Sequence, residues 1–183
     1  MELGQHYPAI DLRNYFLTEP GMIISIALPN DIPASSFPGW DEFISKLRDS
    51  CTGIDLSIDI VQNAPDRLFR EGSSGKVAII CSGASCPDVF EQAANGLKNC
   101  IIIAENPEFR GSIKEKLSRI ECPVLLLSSA NMLWEQRKGA ISYHDLISGS
   151  LLINVRTKQE HPLFMLNTQA FNGAVIFIHE NLG

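Results

Sequence analysis

The stretch that most constrains this chain is Lys76 to Gly96, KVAIICSGASCPDVFEQAANG. Its opening run, Val77-Ala78-Ile79-Ile80-Cys81, is too short for a stable helix and β-branched enough for a strand buried on both faces. Ser82-Gly83-Ala84-Ser85 then makes a small-residue turn, and Pro87 suits the first turn of a helix, where a missing N–H costs nothing. Asp88, Glu91 and Gln92 put acceptors near the positive end of that helix, while Val89, Phe90, Ala93 and Ala94 supply its apolar stripe. A strand that turns sharply into a helix sets the turn at the carboxyl edge of a parallel sheet. That edge is where open α/β proteins hold their ligands.

Apolar runs alternate with amphipathic ones along the rest of the chain. Strands are predicted at 22–28, 54–61, 100–104, 123–127 and 150–155, and helices at 7–19, 40–48, 107–120, 143–147 and 168–182, with a further helical turn at 66–70. Within 54–61, Ile54, Leu56, Ile58 and Ile60 alternate with Asp55, Ser57 and Asp59, the pattern of a strand with one solvated face. Alternating strands and helices predict an α/β fold: a mostly parallel sheet of about five to six strands, covered by helices on both faces and joined by right-handed crossovers. At 183 residues the expectation is one domain, 1–183.

Composition narrows the function. A net charge of −6 with no basic block argues against nucleic acid or an anionic membrane surface as partner. No apolar run approaches the length of a membrane span, and MELGQHYPAI lacks the form of a signal peptide. Five cysteines, an odd number without metal spacing, point to a reducing, cytoplasmic compartment. Four histidines form no ligand cluster, so no metal is expected. Gly72 and Gly75 precede a strand and make no phosphate loop, and no cofactor is expected.

In order and spacing, the strand, turn and helix at 76–96, the strand at 100–104 and the phrase CPVLLLSS at 122–129 resemble the α/β-hydrolase superfamily, close to its compact, lid-less members. Glu160-His161-Pro162 and Gln169-Ala170-Phe171 stand where that family has its histidine turn and the helix that follows, and PGMIISIALPND at 20–31 resembles a strand upstream of the elbow. The resemblance implies a catalytic triad of Ser85, His161 and Glu105, with the backbone N–H of Cys86 as oxyanion donor.

The sequence departs from the family pattern at three places. Aligned without a gap, the nucleophile position of the G-x-S-x-G elbow falls on Gly83; shifted by two residues it falls on Ser85, with Pro87 replacing the last glycine. Ser85 also reads as a helix cap, and Cys86, at a helix start, as a reactive thiol. Ser128-Ser129-Ala130-Asn131 replaces the usual acid turn; Glu105, just past the strand at 100–104, stands at an acid position that some members of the family use, and also reads as a solvated residue before the Asn106-Pro107 turn. The family's first strands are expected to be lacking, with half of the oxyanion hole, and 54–61 is expected to fill a vacant place between 22–28 and 77–81.

Two functions follow from these readings. In one, the chain is a catalytically degenerate hydrolase-fold protein, a pseudoenzyme that binds a protein partner or forms a homo-oligomer. In the other, it is a small esterase-like serine hydrolase acting on a small apolar ester through Ser85, His161 and Glu105. The departures favour the first.

Overall fold

The computed structural model of the protein describes residues 22–28, 40–50, 56–62, 77–130, 134–156 and 167–182. Strand β1 (Met22–Leu28) leads to helix α1 (Trp40–Ser50) and strand β2 (Leu56–Gln62). Strand β3 (Val77–Ser82), a 3₁₀ turn (Gly83–Ser85) and helix α2 (Cys86–Ala94) follow. After strand β4 (Cys100–Glu105) come a 3₁₀ segment (Gly111–Arg119), strand β5 (Val124–Ser129) and helix α3 (Trp134–Leu146). Strand β6 (Leu151–Val155) and helix α4 (Thr168–Leu182) complete the described elements.

The six strands form one parallel sheet in the order β2-β1-β3-β4-β5-β6. β4 and β5 are buried along their whole length and β3 along all but its ends, as continuous apolar runs require when both faces are covered. Alternate residues serve opposite layers. Ala78, Ile80, Ile101, Ile103, Leu125 and Leu127 meet α1 and α4, whereas Ile79, Cys81, Ile102, Ala104 and Leu126 meet α2, the 3₁₀ segment and α3. No helix among the described residues is long and apolar enough to cross a membrane.

The segment expected to fill a gap does not. β2 stands at the outer edge, and β1 pairs directly with β3 through Ile23↔Val77 to Ala27↔Cys81. The physical reason lies in the two sequences. A strand flanked on both sides suits a mostly apolar run, which MIISIAL supplies. LSIDIVQ carries polar residues at alternate positions and suits an edge with one wet face.

Two helical regions also differ in detail from the sequence expectation. The segment after β4 is wound as a 3₁₀ helix, although Ile113 and Leu117 are buried as expected. α3 begins at Trp134, well before the brief helix expected around 143–147. Helices 7–19 and 66–70 lie outside the described residues.

Candidate functional site

The turn between β3 and α2 is built from backbone hydrogen bonds. Ser82 is extended (φ −138°, ψ 144°), and Gly83 then takes φ +52°, a left-handed conformation costly for any residue with a Cβ. A Cβ added at Gly83 would meet nothing within 4 Å, so conformation rather than crowding favours glycine here. The Gly83 carbonyl accepts the N–H of Cys86 and, at 3.2 Å, the N–H of Glu108. The turn is thereby tied to the chain leaving β4.

Ser85 closes the same turn. Its Oγ accepts the Ser82 N–H at 3.1 Å and donates to the Ser82 carbonyl at 2.8 Å. The residue is half-buried, and these two contacts point back along its own loop. The capping role and the nucleophile role thus draw on one group. At the helix start, Pro87 occupies the first turn; Asp88 pairs with Arg110, just before the 3₁₀ segment, and Glu91 with Lys116 on it.

Cys86 is fully buried, with Sγ 4.0 Å from the Glu105 carbonyl. Burial, reinforced by the neighbouring Cys81, pushes its thiol well above the ordinary range. A helix start lowers a thiol pKa and apolar burial raises it; here burial is the larger effect. Burial thus opposes the activation that its place at the helix start suggested, and its N–H donates to Gly83 O.

Glu105 ends β4 in register with Ser82 and is wholly buried. Among the described residues neither carboxyl oxygen has a hydrogen-bond partner. Burial pushes the carboxyl well above the usual carboxylate range, and the Ser82 side chain opposes this only in part. Ser85 and Glu105 thus meet the same strand end, Ser82. His161 lies outside the described residues.

The surroundings of the turn are held by residues to which sequence reading gave no role in the site. Asn106 takes φ +43°, donates its N–H to Leu127 O at 2.8 Å, and accepts the Ser129 N–H on Oδ1 at 2.9 Å. It joins the ends of β4 and β5, and its signal was the Asn106-Pro107 pair, a turn former with a side chain able to bond backbone. Tyr143 is buried; its hydroxyl donates to Glu108 O at 3.0 Å and accepts the Arg110 N–H at 3.2 Å. Its ring packs on Phe90 and Phe109, with centroids 4.5 and 5.2 Å away. Ser128 and Ser129, in place of the usual acid turn, are buried at the end of β5. No group of three or more metal-ligating side chains occurs among the described residues.

β1 ends beside the same turn, since Ala27 is the register partner of Cys81. In hydrolase folds an oxyanion donor comes from the residue after the nucleophile and another from the loop that links the adjacent strand to its helix. Residues 29–39, between β1 and α1, lie outside the described residues. Clefts of about 370 and 460 Å³ open elsewhere, around the N-terminal ends of β4 and β5.

No protein-family model and no curated protein matches the sequence. Solved structures do match in fold. A predicted CIB-like hydrolase from Thermoplasma acidophilum superposes with a TM-score of 0.66 at 16% identity, over 87% of this chain and 86% of that one. A dienelactone hydrolase from Anabaena variabilis gives 0.63 at 10% identity, over 87% and 84%. The esterase domain of a Rhodothermus marinus protein gives 0.61 at 11% identity, over 88% and 87%.

Proposed function

We propose that this chain, whose fold is that of the α/β-hydrolases, is a catalytically degenerate member of that architecture and acts by binding a protein partner or a second copy of itself. The observation that carries the reading is Gly83. It holds the left-handed position of the strand-to-helix turn, where the ungapped alignment puts the nucleophile, and it has no side chain to react. Three neighbours support the same conclusion. The Ser85 hydroxyl is turned onto the Ser82 backbone, the Cys86 N–H is spent on Gly83 O, and burial favours the neutral form of Glu105. A triad acid works as a carboxylate, stabilising the imidazolium that forms across from it. Association is supported by β6, an edge strand of the described sheet, where Leu151 is 52% exposed.

The competing reading is a small serine esterase using Ser85, His161 and Glu105. Its support is the hydrolase and esterase descriptions of the structural neighbours and the place of Ser85 at the carboxyl edge of the sheet.

A fluorophosphonate probe separates the two. The expected result is no labelling of the purified chain and no turnover of short-chain p-nitrophenyl esters above the rate given by Ser85→Ala. Stoichiometric labelling that vanishes in both Ser85→Ala and His161→Ala would establish the esterase instead. The mass of the chain in solution then distinguishes self-association from a heterologous partner.

A further inference from the structure

The edge of the sheet opposite the turn carries a pair of thiols that the reading above does not use. Cys100 opens β4, and Cys122 stands two residues before β5. Ile102 and Val124 are register partners, so two residues back on each chain sets Cys100 across from Cys122. The Ile102 N–H donates to Pro123 O at 3.0 Å and keeps the two chains paired there. Both side chains pack against the same apolar layer, between the sheet and α2. Neighbouring strands run about 4.8 Å apart, inside the window of roughly 4.4–6.8 Å between Cα atoms that a disulfide accepts.

Access and reactivity are divided unequally between the two sulfurs. Cys100 is 4% exposed, while Cys122 is half-buried, and both line the cleft of about 370 Å³ together with Lys98, Asn99, Glu121 and Asn181. The neighbouring Cys100 thiol lowers Cys122 against the opposing effect of burial, while Cys122 and burial together raise Cys100. Cys122 is the sulfur that ionises first and the one solvent can reach. Cys81 and Cys86 also sit together, but both are buried in the core.

We propose that Cys122 and Cys100 form a thiol–disulfide site that reacts with hydroperoxides. The Cys122 thiolate attacks a peroxide oxygen; an S–O bond forms, the O–O bond breaks, and the departing oxygen takes up a proton as alcohol or water. Cys122 is left as sulfenic acid. Cys100 then attacks that sulfur, the S–S bond forms, and hydroxide leaves as water with the Cys100 proton. Two thiols thereby supply the two electrons that reduce one peroxide. An external dithiol reverses the bridge by exchange.

The test is hydrogen peroxide added to the folded full chain, followed by maleimide counting of thiols, intact mass and non-reducing peptide mapping. Of the five cysteines, two are expected to be lost to the maleimide, in a single linked Cys100–Cys122 peptide, and dithiothreitol should restore both. In Cys100→Ser, Cys122 is expected to stop at sulfenic acid and be captured by dimedone. In Cys122→Ser, oxidation at Cys100 should slow by on the order of tenfold or more. Retention of all thiols, a bridge between any other cysteines, or passage of Cys122 to sulfinic acid while Cys100 is present overturns the proposal. The wild-type peptide map decides the matter even where a variant does not fold.

Discussion

Glu105→Gln is expected to stabilise the fold at neutral and alkaline pH and to leave it unchanged in acid. The wild-type carboxyl is wholly buried at the end of β4 with no hydrogen-bond partner among the described residues, and burial raises its pKa well above the ordinary value of 4.5. In the unfolded chain the same group ionises around that value. Between the two pKa values the native state holds a proton that the unfolded state has released. Stability therefore falls as pH rises through the window, by at most about 1.4 kcal/mol per pH unit for one proton. The contribution is fully present below the unfolded pKa and is lost progressively toward the folded one. Glutamine has the same shape and no proton to lose, so the difference between the two proteins should be near zero at about pH 4 and grow with pH. Urea midpoints measured across that range read it directly, since every other titrating group cancels in the difference. A wild type that gains on the variant as pH rises would mean a carboxylate stabilised in place. That result would return Glu105 to the role of a working acid.

Gly139→Ala should be the most damaging single methyl addition on α3. A Cβ at this position would lie 2.0 Å from Pro107 O and 3.3 Å from the Phe109 N, both backbone atoms of the segment that braces the turn. Helix propensity alone would favour alanine by about 1 kcal/mol. The clash sets the buried face of α3 against a loop held by Tyr143; overpacking costs about 1–3 kcal/mol, occasionally more, and a 2.0 Å approach to backbone belongs at the upper end. The larger effect decides the sign. For a chain of this size the net loss, about 2 kcal/mol, corresponds to a melting temperature lower by ~4–8 °C. Gly173→Ala is the control: its Cβ would meet only Ile153 Cδ1, at 3.0 Å, the free end of a side chain. Calorimetry should show it near neutral, and equal losses in the two variants would remove the close approach as the cause.

Much of the architecture was legible because the signal is local. β3, β4 and β5 announce themselves as apolar runs bounded by turn residues, and α4 through the spacing of Phe171, Val175, Ile178 and Leu182. The early part of α3 was not legible. WEQRKGA has little apolar periodicity and contains a glycine, so its helical state comes from packing against the loop at 107–109 rather than from propensity. The neighbour of β3 was misread for a related reason. Sequence gives strands in chain order, and β1 and β2 are both plausible partners until the hydrogen bonds form.

At the turn, the residues were found by sequence, but their states were not. Sequence identified the strand, the small-residue turn, Pro87 and the choice between Gly83 and Ser85, because a sharp change of direction demands small side chains whatever surrounds it. It could not show which residue takes the left-handed conformation, where the Ser85 hydroxyl points, or that Glu105 loses its water. Those depend on how β4 and the segment at 106–108 close over the end of β3, contacts between residues more than twenty positions apart. Backbone preference is written residue by residue, whereas burial and protonation belong to the assembled neighbourhood, and only the folded chain sets them.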